Sequence, residues 1–473
     1  MQLRILRSDL HLAQLRTRMP FRYGIATMTD VPQVYVRVWV DVDGAEWHGT
    51  ASDLLAPKWF TKDPGKAVEI EIDEMLQIIK IAMQFANGLT AESVFGLWQR
   101  IYTAQAAVAN SRSIPPLLAH FGTSLVERAL IEAFCRSQGR PFWQLLRQNV
   151  FGVRLDQIHA ELGDRAPGHF LPETPLDSVT VRQTVGLADP LTDAEIAPAG
   201  RVEDGLPQSL AASIESYGLR HLKIKVAGNL AQDIERLGRI AAIVQAGIPT
   251  GFGFSLDGNE QFQSAHEFRL YWEGLQSDST ISAFLKRLLF VEQPVHRANA
   301  LAKEAGQVFA DWPRRPPIII DESDGAIEDL EAALALGYSG TSHKNCKGVF
   351  KGVAHRCLLT QRTRAGSNRV LLMSGEDLCT VGPVSLQQEL AVLAALGIQS
   401  VERNGHHYHA GLSQFPAALQ ESALKHHPDL YAAPRGRWPA VRISQGDLQL
   451  GTVNRTPFGL DFTVDLDAFP KVQ

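Results

Sequence analysis

From about residue 180 onward the chain alternates short apolar runs with segments of helical length, and this rhythm limits the fold more than any other feature. The runs are 179–185, 221–226, 253–256, 288–291, 317–320, 340–344, 370–373 and 398–401, and convincing helices such as 232–245 and 327–336 lie between several of them. Apolar runs this short, bounded by turn residues, read as buried strands. Eight of them alternating with helices predict an α/β protein with a (β/α)8-type barrel.

The chain before the barrel has a different texture. Residues 3–12 read as a strand, followed by Thr17-Arg-Met-Pro-Phe-Arg-Tyr-Gly24 as a turn-prone loop. Residues 34–42 form a second strand, and Asp43-Gly44 turns it into Ala45-Glu-Trp-His-Gly49 as a hairpin. Pro64 stands at a helix start, with helical patterning to about residue 87 and again over 90–109 and 122–138. Strands followed by helices predict an α+β domain over 1–150. The barrel domain is expected over 151–434, with 155–178 an irregular connection. Residues 435–473, where Gly446-Asp-Leu-Gln-Leu, Gly451 and Gly459-Leu-Asp-Phe read as strands and turns, are expected to return to the first domain.

Composition sets the partner classes. A chain of 473 residues with 45% apolar and 21% charged residues is an ordinary globular protein of more than one domain. A net charge of −5 without a basic stripe argues against nucleic acid. No apolar run approaches membrane length, and Met1-Gln-Leu-Arg is not the start of an apolar signal segment. Four cysteines without CxxC spacing imply no disulfide framework, so a cytoplasmic location is expected.

The chemistry sits where the strands end. In Arg220-His-Leu-Lys-Ile-Lys-Val-Ala-Gly228 two lysines two residues apart on a strand share a face. Their mutual repulsion is expected to favour loss of one proton, which suits a general base. The following strand ends carry Phe254-Ser-Leu-Asp-Gly-Asn259, Phe290-Val-Glu-Gln-Pro-Val295, Ile318-Ile-Ile-Asp-Glu-Ser323 and Thr341-Ser-His-Lys-Asn-Cys-Lys-Gly348. Their spacing is that of one strand–helix unit each, so Asp257, Glu292 and Asp321 fall on one rim. Three adjacent carboxylates repel unless a cation lies between them, and an all-oxygen set points to magnesium.

This combination resembles the enolase superfamily, and within it the mandelate racemase and muconate lactonizing enzyme families. The matching pieces are Lys223-Ile-Lys225, Asp257-Gly-Asn259, Glu292-Gln-Pro294, Asp321-Glu-Ser323, the Lys344 region and Gly139-Arg-Pro-Phe-Trp-Gln-Leu-Leu146. The resemblance implies a capping domain completed by the C-terminal tail, and abstraction of the proton α to a carboxylate through an enediolate. It also implies Mg²⁺ held by Asp257, Glu292 and Asp321, with Glu322 as the alternative on its strand. Lys225 is then one base, Lys223 its electrostatic partner, and Lys344 (or Lys347) the base on the opposite face. Strand seven, Val370-Leu-Leu-Met-Ser-Gly-Glu-Asp377, lacks the histidine of the mandelate racemase subgroup, so the two-lysine muconate lactonizing pattern fits better.

In such an architecture 18–30 and 51–62 are candidate lids over the barrel mouth. Arg18, Arg22 and Lys58 are candidates for an acidic group of the substrate, Tyr23, Trp59 and Phe60 for an apolar one, with Asn259 also expected at the substrate. After strand eight, Glu402-Arg-Asn-Gly-His-His-Tyr-His409 brings Glu402 and His406 to the same rim. The expected activity is a magnesium-dependent racemase or epimerase of a small carboxylate. The alternatives are a lyase (acid-sugar dehydratase or cycloisomerase) and a barrel that binds a metal and an acid without turnover. A homo-oligomer is expected.

Overall fold

A computed structural model describes residues 2–23, 25–248 and 250–472, with the side chain of Arg435 left aside. The N-terminal sheet consists of β1 (Leu3–Tyr23), β2 (Ala26–Val42), β3 (Ala45–Leu54) and β4 (Thr90–Ala91) in the order β3-β2-β1-β4, all antiparallel. The Asp43-Gly44 turn has both residues at positive φ, 51° and 89°, as a tight hairpin between right-twisted strands requires. β1 is twice the length its first apolar run predicts. Residues 17–23, expected as a loop, continue the strand, and Phe21 to Tyr23 pair with Met28 to Ala26. Pro20 is tolerated because it falls in the register shift between Arg16 and Phe21, where no ladder bond is lost; Gly24 lies outside the described residues.

Three helices cover this sheet: α1 (Val68–Ala86), α2 (Val94–Arg112) and α3 (Pro116–Gln138). α3 is buried on every side from Leu117 to Cys135, because it lies between the N-terminal sheet and the barrel. Its polar residues are therefore paired. Arg128 donates to the Ser52 carbonyl and to Asp53, both at 2.9 Å. Glu127 accepts the backbone N–H groups of Val349 and Phe350 at 3.0 and 2.7 Å, capping the helix Val349–Arg364. Gly49 allows the close approach of β3, since a Cβ there would stand 2.2 Å from the Ala129 carbonyl oxygen.

The barrel has eight parallel strands: β5 (Ser178–Val185), β6 (His221–Lys225), β7 (Gly253–Asp257), β8 (Leu288–Glu292), β9 (Ile318–Ile320), β10 (Gly340–His343), β11 (Leu372–Gly375) and β12 (Ser400–Glu402). Each pairs with the next, and β12 closes onto β5. Further strands β13 (Tyr431–Ala432) and β14 (Ala440–Val441) form a small hairpin, and β15 (Asp447–Gln449) adds antiparallel to the outside of β5. Gly451, expected in a strand or turn, opens the short helix Gly451–Arg455. The end of the chain meets the first sheet: Leu12 and Val472 donate to Pro470 and Leu10, and Phe469 stacks on Tyr35. Among the described residues no helix is long and apolar enough to cross a membrane.

Candidate active site

The C-terminal ends of the barrel strands face a narrow cavity of about 40 Å³, roofed by the N-terminal domain. Lys223, Lys225, Asp257, Asn259, Asp321, Lys344 and Glu402 line it from the barrel, and Tyr23, Trp59 and Phe21 from the roof. Strand geometry places them there: paired register sets Lys225 opposite Asp257, and Asp257 opposite Glu292.

Lys223 is at the centre of the charges. Its ammonium lies 2.8 Å from Glu292, 2.9 Å from Glu376, and 3.1 Å from both Asp257 and Glu402. Burial works to lower its pKa, but the four carboxylates outweigh burial and hold it well above the ordinary lysine value. The expectation that Lys223 and Lys225 would depress one another therefore fails for Lys223: its neighbours are acids contributed by four other strands. Lys225 donates to Asp257 at 2.9 Å and to Asn259.

Across the barrel, Lys344 donates to Asp321 at 2.5 Å and lies 4.3 Å from the centroid of the Trp59 ring. Burial pulls it down, but Asp321, with Glu292 and Glu402, holds it above the ordinary lysine value. Lys347 is behind Asp321, 3.3 Å from its carboxylate and 3.2 Å from Asp324, and does not line the cavity. Asp257 and Asp321 are both held below the usual carboxylate range, because their lysine partners exceed the cost of burial. Glu292 goes the other way, raised by burial and by Glu376.

Several residues not singled out from the sequence join the site. Glu376 pairs with Arg182 beneath Lys223, and Asp377 and Asn404 line the cavity. Gln293 accepts the backbone N–H of Asp321 at 2.8 Å and donates to Ser323 at 2.9 Å, fixing the end of β9. Glutamates at strand ends seven and eight were visible as charges, but nothing along the chain shows that they converge on Lys223. Three named candidates point elsewhere. Lys58 turns into its own loop, donating to the Asp63 carbonyl at 2.8 Å with Glu71 3.2 Å away. His406 is buried outside the cavity, 3.1 Å from Gln183. Arg18 is taken up by Asp204 and the carbonyls of Leu206, Pro207 and His407. The 51–62 segment is fastened to the barrel, with Arg297 donating to Trp59 and Phe60 at 2.9 and 3.0 Å and Lys62 donating to Asn259 at 2.6 Å.

The donor set suits a hard divalent cation. All candidate ligands are carboxylate oxygens, and a buried oxygen of Glu322 accepts no hydrogen bond. Burial and the neighbouring Asp321 push the Glu322 carboxyl up to about 7, the signature of an acid short of a positive partner. Among the described residues no three such groups are placed as the ligands of one ion; the lysine ammonium groups hold the carboxylates instead.

The fold defines a capped (β/α)8 barrel. It is similar over nearly the whole chain to a mandelate racemase/muconate lactonizing enzyme from Bordetella bronchiseptica, with 18% identity, a TM-score of 0.60 and coverage of 99% of both chains. A dipeptide epimerase from Enterococcus faecalis complexed with Mg and the dipeptide L-Leu-L-Tyr matches at 15% identity and TM-score 0.60, covering 96% of this chain and 99% of the other. An enolase from Bradyrhizobium complexed with magnesium and mandelic acid matches at 14% and 0.58, covering 100% and 99%. No family model and no curated protein sequence matches. At this level of identity the comparison shows that the chain shares the capped-barrel fold of these proteins.

Proposed function

We propose that the protein is a magnesium-dependent racemase or epimerase that removes and returns the proton α to a carboxylate. The observation that carries this reading is that Lys225 and Lys344 enter one cavity from β6 and β10, across the barrel, with Asp257, Glu292 and Asp321 on the strands between. Asp257, Glu292 and Asp321 would hold the cation, with Glu322 beside them. Bound there, it would offset the negative charge that develops on the substrate carboxylate.

The chain's own residues do the rest. Lys225 and Lys344 face the cavity from opposite sides of the barrel, each placed to take the α-proton from, or return it to, one face of the substrate. Asn259, already bonded to Lys225, orients that amine. Trp59 lies against Lys344 and keeps water from it. Phe21, Tyr23, Met28 and Leu378 give the cavity an apolar wall, which favours an acid with an apolar substituent. The Mg-bound dipeptide epimerase and the mandelic acid complex among the similarly folded proteins agree with this substrate class.

The test is incubation with Mg²⁺ and a panel of chiral acids and dipeptides in deuterated water. Deuterium uptake with inversion supports the reading; loss of water or ring opening marks a lyase, and no exchange with any member marks a binder. With an active substrate, Lys225→Ala is expected to keep α-proton exchange for one enantiomer and lose racemisation, and Lys344→Ala to keep exchange for the other. Racemisation that survives Lys344→Ala ends the two-base assignment.

A further inference from the structure

A second ionisable array runs from the back of strand six to the surface. Asp324, on the loop after β9, holds Lys347 at 3.2 Å and Lys351 at 2.8 Å. Its carboxylate also lies 3.3 Å from Nε2 of His355, on the helix after β10. His355 Nδ1 is 2.9 Å from Nε2 of His159, on the connection leading into the barrel. His159 Nδ1 is in turn 2.6 Å from Oε1 of Glu331, whose side chain is 44% exposed. The two imidazoles are buried, and none of these groups lines the cavity.

Counting protons is informative. Asp324 to His355, His355 to His159 and His159 to Glu331 are three hydrogen bonds, and each needs one proton. Two neutral imidazoles carry only one N–H each. Without a third proton, one end of the column sets a bare ring nitrogen against a carboxylate oxygen, two lone pairs facing at hydrogen-bond distance. That arrangement is repulsive in a buried setting.

We propose that the His159–His355 pair is a proton-binding site that carries this third proton on His159, as an imidazolium paired with Glu331, while neutral His355 donates to Asp324. His159 is the better place of the two, because Glu331 reaches water and faces no lysine, whereas His355 shares Asp324 with Lys347 and Lys351. Burial outweighs the acids around both imidazoles, taking His355 down to about 4 despite Asp324 and holding His159 below its ordinary value despite Glu331 and Glu161. The charge on His159 rests on the three hydrogen bonds and opposes the effect of burial. The site connects solvent at Glu331 with the carboxylate that holds Lys347 behind Asp321. His159 and His355 are thus positioning residues for the strand-six lysines. This inference does not depend on the reaction proposed above.

The experiment is ¹⁵N-histidine labelling of the full chain and a long-range ¹H–¹⁵N correlation at neutral pH. The His159 signal is assigned by its loss in His159→Gln, or in His159→Asn should the first variant not fold. The expected result is two protonated nitrogens on His159 and one on His355. In Glu331→Gln, at a half-exposed position, His159 is expected to become neutral, its titration midpoint falling by at least about one pH unit, with the other histidine signals unmoved. A neutral His159 in the parent protein overturns the proposal, and so does an imidazolium that survives Glu331→Gln.

Discussion

Lys223 does within the barrel what a cation would do: it keeps Asp257, Glu292, Glu376 and Glu402 together. Removing one partner of a buried ionic cluster leaves uncompensated charge and costs about 3–5 kcal/mol. Lys223→Met is therefore expected to lower stability by roughly that much, read from denaturant unfolding. Asp257 and Glu292, two of these carboxylates and two of the proposed ligands, would then be released to a divalent ion, so Mg²⁺ should raise the melting temperature of Lys223→Met more than that of the parent. Equal shifts in the two proteins would show that the ammonium and the ion do not share a place. This central role was not legible along the chain. The Lys-x-Lys spacing showed a shared face, but the carboxylates that set the charge state come from β7, β8, β11 and β12 and meet only once the barrel closes. Lys58 and His406 illustrate the converse. Each belongs to the rim by sequence position, yet local partners, Glu71 and Gln183, take their side chains.

At the scale of elements, the barrel strands were legible within a few residues because each is a short apolar run cut off by a helix. The length of β1 was not, since Pro20 and the residues around it carry turn chemistry that a register shift absorbs. Strand six shows how tightly one element positions the site. Gly340 opens β10 at φ 146°, and a Cβ there would stand 1.8 Å from the Leu372 carbonyl oxygen on β11. Backbone cannot yield as a flexible side chain does, so Gly340→Ala must displace β10 and, with it, Lys344 four residues on. We expect a loss of about 2–4 kcal/mol, in the range of strained or overpacked core sites, together with loss of activity. Gly238→Ala, on a helix where a Cβ meets nothing within 4 Å, is the control and should be neutral or slightly stabilising. Parent-like unfolding of Gly340→Ala would mean that β10 has room the structure does not show.

Over the whole molecule, stability should depend on pH through histidines buried without charge. Burial holds His120, His343 and His407 at about 3, and His409 and His427 at about 4. They lie on α3, strand six, the segment after strand eight and the C-terminal region, so no single element carries the effect. In the unfolded chain each titrates near 6.5, about the free value. Between the folded and unfolded values the unfolded state binds more protons, so stability is full above about pH 6.5 and is lost as pH falls, by about 1.4 kcal/mol per pH unit for each group. Buried glutamates oppose this. Burial raises Glu127, Glu322 and Glu389 to about 7, so between about pH 4.5 and 7 the folded state holds their protons and stability falls as pH rises. His221 and His355, both at about 4, and His406, held well below the ordinary value, act in the same sense as the other histidines. Glu292, raised well above its own ordinary value, acts with the glutamates. The histidines outnumber the glutamates, so between about pH 5 and 6.5 the net effect is a loss of stability as pH falls. Below about pH 4.5 the glutamates no longer oppose them and the loss steepens. Urea unfolding without added magnesium across pH 4.5–7.5 measures this, with a maximum expected near pH 6.5. His120 stacks on Tyr102 with ring centroids 3.7 Å apart, so His120→Phe keeps the stack while removing one titrating group. It should reduce the slope by about 1.4 kcal/mol per unit; an unchanged slope in this variant would mean that His120 takes up no additional proton on unfolding.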